Sequence, residues 1–233
     1  MIDENGLLLR GDGKLYDDML KYVKEFLKEN DGEVTKIFNY PFRKRSEHTR
    51  RVFMWARRLV DRESSINKEA VLVSSIFHDV GYAISLDGSK HAEDSALICE
   101  KYLHDNGFDA GFIEFVSYLV KNHSNKFLMT SDDIPLELIL LMEADLLDET
   151  GALSILWDCM AEGGKQYQSY EASYKRIVNY SWESVQVNPM VTDKAKAFWD
   201  DKQKLVRDFV KHLSWDLAIG ESSSNSERLY GSF

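Results

Sequence analysis

Apolar residues recur along this chain at the three- and four-residue spacing of helices, not in the alternation of strands. Leu15, Met19, Tyr22, Val23, Phe26 and Leu27 mark an amphipathic helix from Leu15 to Glu29, closed by Asp31-Gly32. Pro41 to Arg45 reads as a connection. Ser46 is a candidate N-cap for a helix reaching about Glu63, with Val52, Ala56, Leu59 and Val60 on its apolar face. The next stretch, Ala70 to Phe77, is apolar on nearly every side, as befits a helix buried in the middle of a fold. Asn67 caps it, and it runs on through His78 and Asp79 to Gly81, which suits a helix stop.

Asp87-Gly88 signals a turn before a helix from about Lys90 to Asp105, with Gly107 past its end. Asp109 opens another, lined by Phe112, Phe115, Val116, Leu119 and Val120 and ending at His123. Pro135 marks the first turn of a strongly apolar helix that kinks at Gly151 and continues to about Met160. Tyr167 to Trp182 is a further amphipathic piece, and Thr192 caps a last helix to about Leu217. The expected architecture is all-α: a single domain of about eight helices over residues 15–219, a lead-in over 1–14 and a flexible tail over 220–233.

Composition agrees with that pattern. Only 3 prolines and 13 glycines interrupt 233 residues, and a 44% hydrophobic share supplies a sizeable core. The 29 basic and 39 acidic residues leave a net charge of -10, which disfavours general binding to phosphate backbones while leaving room for a local basic patch. Cys99 and Cys159 form no CxxC pair and read as reduced thiols. The start of the chain lacks the basic and then apolar regions of a signal peptide, and Leu138 to Met142 is far too short to span a bilayer. These features point to a cytoplasmic protein with no membrane association.

The buried helix ends in groups that do not belong in a core. An imidazole and a carboxylate are costly to bury unless paired, and a metal ion accepts both. Of 6 histidines, His48, His78, His91 and His123 fall where the expected helices begin or end. With Asp79 and Asp145 they form a set of potential ligands drawn from separate helices, as helical bundles build their metal sites. Imidazoles and carboxylates without thiolates suit Fe, Mn, Zn, Co or Mg. The set exceeds what one catalytic ion with open positions needs, and two ions about 3.5–4 Å apart that share a carboxylate would use all of it. The plainer reading of His78-Asp79 is a hydrogen-bonded pair at a helix end. His104 and His212 have the neighbours of solvated helix ends and read as structural. Asp148, one turn past Asp145, either orients a ligand or faces water.

Taken in order, His48, His78-Asp79 and the distant Asp145 resemble the H…HD…D signature of the HD-domain superfamily of metal-dependent phosphohydrolases. The flanking words Glu47-His48-Thr49, Phe77-His78-Asp79-Val80-Gly81, His91-Ala92-Glu93, Asn122-His123-Ser124 and Ala144-Asp145-Leu146-Leu147-Asp148 agree, and the likeness covers residues 46–151. The resemblance implies an all-α fold in which His48, His78, Asp79 and Asp145 bind a first divalent ion. It also implies a second ion at His91 and His123, bridged by Asp79. Many members carry HDxGK, and here the lysine position holds Tyr82.

The implied function is hydrolysis of a nucleotide or another small phosphate ester or anhydride by metal-activated water, with Asp79 as the catalytic residue. The basic island around His48 supplies candidate phosphate contacts in Arg43, Arg45 and Arg51, and Lys121 is a weaker one. Two alternatives stand beside this reading: a di-iron oxygenase of the same superfamily, and a module that binds a nucleotide without turning it over.

Overall fold

In the computed structural model, residues 13–30, 32, 42–85, 88–131 and 133–220 are described. The expected lead-in before Gly13, the turn residues Asp31, Pro41 and Asp87, and the tail beyond Gly220 lie outside the described residues. Helices are the regular secondary structure of the described residues, with no strand among them. In order they form α1 (Gly13–Glu29), α2 (Arg45–Val60), α3 (Lys68–Phe77), α4 (His91–Asp105), α5 (Ala110–Asn122), α6 (Leu136–Leu147), α7 (Ala152–Gly163), α8 (Tyr170–Ile177) and α9 (Asp193–Asp216). Short 3₁₀ turns occupy Val80–Ala83 and Lys126–Thr130, and a π-turn spans Val178–Trp182. None of the described helices is long and apolar enough to cross a membrane.

These residues group into two compact units. One comprises the chain up to Glu149 together with Pro189–Phe198; the other comprises Thr150–Asn188 and the chain from Trp199 onward. In the first unit α3 is the central rod, packed against α1, α2, α4, α5 and α6. Its apolar character follows from that position: Ala70, Val71, Val73, Ile76 and Phe77 are completely buried. Burying a side chain of the size of Ile76 or Phe77 contributes about 1.5–3 kcal/mol. Asn67 starts the rod by accepting a hydrogen bond from Ala70 N at 3.0 Å. Beside it the rings of Tyr22, Phe77 and Tyr102 cluster, with centroids 4.6–6.2 Å apart.

Several boundaries differ from the sequence expectation for definite reasons. The α-helix of the central rod stops at Phe77, not Gly81. Asp79 then takes φ -114 and ψ 5, and the chain turns through Val80–Ala83. Gly81 is required by close approach instead: a Cβ there would lie 2.2 Å from the His91 carbonyl oxygen and 2.5 Å from Ser95 N. The Gly81 amide donates to Ser95 Oγ at 2.8 Å, which fixes the start of α4 against the end of α3.

Helix α2 begins at Arg45, so Ser46 lies inside its first turn and the N-cap position is Lys44; α2 also ends at Val60, short of Glu63. Pro135 stands one residue before α6 with an extended ψ of 144. The expected kinked helix from Pro135 to Met160 is two helices: the run ends at Leu147, Asp148 is extended with ψ 156, and Glu149 and Gly151 take positive φ before α7 begins. Thr192 does cap α9, accepting from Ala195 N at 3.3 Å. It is itself held by the buried Glu143, whose carboxylate accepts from Val191 N, Thr192 N and Thr192 Oγ1 at 2.6–2.7 Å.

In the second unit α7 packs on α8. Buried Asp158 accepts from Arg176 Nε at 3.0 Å, Ser181 N at 3.2 Å and Ser181 Oγ at 2.5 Å. Those bonds satisfy a carboxylate that burial would otherwise make costly.

Gly81→Ala tests the packing between α3 and α4. Because backbone atoms crowd the new methyl, the cost falls at the upper end of the overpacking range, about 3 kcal/mol. Urea unfolding measures it, and a variant as stable as the parent would remove close approach as the reason for glycine here.

Candidate metal centre

The end of the central rod is where separate helices deliver their polar groups. His48 comes from the first turn of α2, His78 and Asp79 from the end of α3, and His91 from the first position of α4. His123 follows the last residue of α5, and Asp145 lies in the last turn of α6. The fold thus converges all six on one place. His78, His123, Asp79 and His48 are buried; His91 and Asp145 are partly exposed and mark the open side.

Four atoms face one another in a first group. His48 Nε2 lies 3.2 Å from His78 Nε2, 3.3 Å from Asp79 Oδ2 and 3.3 Å from Asp145 Oδ1. His78 Nε2 lies 3.5 Å from Asp79 Oδ2 and 3.8 Å from Asp145 Oδ1. In a second group, Asp79 Oδ1 lies 3.7 Å from His91 Nε2 and 3.4 Å from His123 Nε2. One carboxylate therefore divides its oxygens between two pairs of imidazoles.

The outer nitrogens fix the tautomers. His78 Nδ1 donates to the Ser75 carbonyl at 2.8 Å, His91 Nδ1 to the Gly88 carbonyl at 2.7 Å and His123 Nδ1 to the Val120 carbonyl at 2.6 Å. A carbonyl only accepts, so Nδ1 carries the hydrogen and the neutral ring turns the Nε2 lone pair inward. His48 Nδ1 faces Asp148 Oδ2 at 2.7 Å. At His78, His91 and His123 nitrogen lone pairs then turn toward the carboxylate oxygens without a hydrogen between them, and a cation is what such a shell accepts. Donor separations of 3.2–3.8 Å suit a coordination shell with bonds of about 2.0–2.2 Å, and outward Nδ1–H bonds are the usual support of metal-ligating histidines. The donor set fits divalent metal at both groups: His48, His78 and Asp79 with Asp145 beside them, and Asp79, His91 and His123.

The electrostatics set His48 apart from His78: with no cation bound, the carboxylates around His48 hold a proton on its inward nitrogen, which a metal ion would have to displace. Burial opposes charge on His48, but its hydrogen bonds to Asp145, Asp148 and Asp79 win and hold its pKa well above the ordinary value. Burial pushes His78 down to about 4, so at neutral pH its inward nitrogen is a lone pair. Burial would raise the Asp79 carboxyl, yet His78, Arg45 and the neighbouring imidazoles keep it well below the usual carboxylate range. Asp145 is lowered too, with Lys126 and His48 outweighing burial. Both carboxylates are ionised.

The basic residues singled out in the sequence fall in different places. Arg45 Nη1 donates to Asp79 Oδ2 at 2.7 Å. Arg51 forks onto Asp148, with Nε 2.8 Å from Oδ1 and Nη2 3.0 Å from Oδ2. Arg43 binds Glu149 through Nε at 3.0 Å and through Nη2. Lys121 is exposed in the last turn of α5. His48, Asp148 and Glu149 also lie within reach of one another, but the two arginines already neutralise those carboxylates.

Two contributors were not read from the sequence. Lys126 Nζ donates to Asp145 Oδ2 at 2.7 Å and to the His123 carbonyl at 2.9 Å, tying one ligand group to the other. Its only signal was a cation one turn past His123. Tyr82 stacks on His91 with centroids 4.3 Å apart and planes at 15°.

Residues 45–150 match the family model of the HD domain. That stretch of the chain is an HD domain. No curated protein matches the sequence. Among solved structures, an HD-superfamily hydrolase from Bacillus thuringiensis is similar at 17% identity and a TM-score of 0.64, over 88% of this chain and 98% of that one. A predicted HD-superfamily hydrolase from an uncultured Thermotogales bacterium shares 22% identity at a TM-score of 0.58, over 85% of this chain and 92% of its own. Bacillus subtilis YpgQ, solved in complex with ADP, shares 18% identity at a TM-score of 0.61, over 90% and 98%. At such identities these structures speak for the fold.

The Asp148 carboxylate orients His48 from behind. Asp148→Ala is expected to weaken metal binding about 10–100-fold, the usual effect of losing such a partner, as read by competition with a chelator. Unchanged affinity would show that His48 needs no such support.

Proposed function

We propose that this HD domain is a metal-dependent hydrolase, and that it is a phosphohydrolase acting on a nucleotide or another small phosphate ester or anhydride. The observation that carries the reading is the Asp79 carboxylate, whose Oδ2 faces His48 and His78 while its Oδ1 faces His91 and His123. The HD-domain match, the hydrolase names of two structural neighbours and the ADP held by YpgQ support it.

Divalent ions, if held by His48, His78, Asp79 and Asp145 and by Asp79, His91 and His123, would supply a Lewis acid for the phosphoryl oxygens and a bound water with a pKa of about 7. The chain's own residues do the rest. Asp79, as the shared carboxylate, is the residue on which both ligand groups depend, and it orients the attacking water. His48 and His78 close the first group with Asp145, and His91 and His123 close the second. Lys126 holds the outer oxygen of Asp145, so its inner oxygen stays turned to the histidines. Buried His78 and His123 form the closed floor, and substrate approaches past the partly exposed Asp145 and His91.

Metal analysis of the purified protein followed by phosphate release from a panel of nucleotides and phosphate esters tests the reading. Two ions per chain and phosphate release are expected. The double variant His91→Ala/His123→Ala should retain one ion, and Asp79→Ala should lose both metal and hydrolysis. Full activity in Asp79→Ala, or oxygen consumption by the iron-loaded protein without phosphate release, would overturn the proposal.

A further inference from the structure

His91 is held differently from the other histidines of the two ligand groups. His48, His78 and His123 are buried, whereas His91 begins α4 and is partly exposed on the open side. Its Nδ1 donates to the Gly88 carbonyl at 2.7 Å, and the His123 ring meets it edge-on with centroids 5.3 Å apart. One hydrogen bond fixes an atom of the imidazole but leaves the ring free to swing about that bond. The Nε2 lone pair lies in the ring plane, so the tilt of the plane decides where the lone pair points.

Tyr82 supplies the constraint on that tilt. Its ring lies nearly parallel to His91, with centroids 4.3 Å apart and planes at 15°. The Tyr82 ring is itself flanked by Arg45, whose guanidinium carbon sits 4.1 Å from its centre and whose Nη1 is anchored on Asp79 Oδ2 at 2.7 Å. Asp79 Oδ1 in turn lies 3.7 Å from His91 Nε2, so Asp79, Arg45, Tyr82 and His91 close a circuit of contacts. The two backbones are locked as well, because Gly81 lies against the His91 carbonyl and its amide donates to Ser95 Oγ at 2.8 Å. Among the described residues Tyr16, Tyr22 and Tyr102 pack against the apolar core of this unit and Tyr82 does not. Core packing is therefore not what its ring is for.

We propose that Tyr82 is a positioning residue for the second ligand group: its ring sets the plane of His91 so that Nε2 faces Asp79 Oδ1, and thereby sets the affinity of Asp79, His91 and His123 for their ion. The inference rests on the reading of two ions per chain and not on the reaction they serve. It also gives a task to the residue that stands at the lysine position of HDxGK, which the proposed hydrolysis leaves without one.

The test is calorimetric titration of Mn²⁺ into the metal-stripped full chain, with the spin-coupled signal of a Mn²⁺ pair followed by electron paramagnetic resonance. The parent should take up two ions. Tyr82→Leu, which removes the ring, should bind the second ion about three- to ten-fold more weakly and the first ion as the parent does. Tyr82→Phe, which keeps the ring, should match the parent. In a His91→Ala background, where no imidazole is left to orient, Tyr82→Leu should change ion binding no further. Should Tyr82→Leu fail to fold, Tyr82→Met carries the same expectation. Second-ion affinity equal to the parent's in the variant without the ring would overturn the inference alone, as would equal weakening of both ions, or a Tyr82→Phe as weak as Tyr82→Leu. A single ion in the parent would overturn the two-ion reading and the inference with it. Two ions with the expected Tyr82 dependence, but no phosphate release from any substrate, would overturn the phosphohydrolase reading alone.

Discussion

The carboxylate of Asp79 is the constraint from which the rest of the candidate centre follows. It is ionised and buried, it has imidazoles on both sides, and Arg45 donates to one of its oxygens. A charge in that position is tolerable only if several helices bring compensating groups at once. The apolar α3 can therefore end in a charged residue because α2, α4, α5 and α6 all pack on it and each contributes at its own end. Packing and chemistry are coupled here: the contacts that bury α3 are the ones that carry the histidines inward.

The coupling reaches the backbone. Gly81 lets the first residues of α4 press onto the turn after Asp79, and His91 is the first residue of that helix. The outer imidazole nitrogens are tied to carbonyls or to Asp148, so each ring has one orientation. Preorganisation of this kind means that little conformational freedom is left for a cation to remove. The acidic overall balance sets a contrast: a chain of net charge -10 concentrates Arg43, Arg45, Arg51 and Lys126 around one group of carboxylates.

Much of this was legible in the sequence, and the misses have a pattern. The helical class followed from spacing, and the convergent set from the coincidence of His48, His78, His91 and His123 with expected helix ends. What periodicity does not carry is the fine placement of termini. Reading Ser46 as the cap set Arg45 outside α2. Once Arg45 is the first helical residue it stands one turn from His48 on the same face, which is why it reaches Asp79. Gly81 was read as a stop because glycine commonly ends helices, whereas the structure uses its missing side chain to admit another backbone. Lys126 escaped because a lone lysine in a polar turn carries no periodic signal; only the position of Asp145, 19 residues on, gives it a role.

Glu149 shows how far the supporting shell extends. Its backbone takes φ 53, a left-handed conformation that costs an ordinary residue about 1–2 kcal/mol. In an extended chain successive side chains point to opposite sides. Asp148 is extended, with φ -74 and ψ 156, so without a reversal Glu149 would turn away from the partners of its neighbour. The positive φ brings both carboxylates to the start of α2, where Arg51 reaches Asp148 and Glu149, and Arg43 reaches Glu149. The strained residue thus helps to hold Arg51 in place on Asp148, and Asp148 in turn holds the His48 ring. Backbone strain offset by ion pairs belongs where geometry matters more than local stability, and here it lies directly behind a candidate ligand.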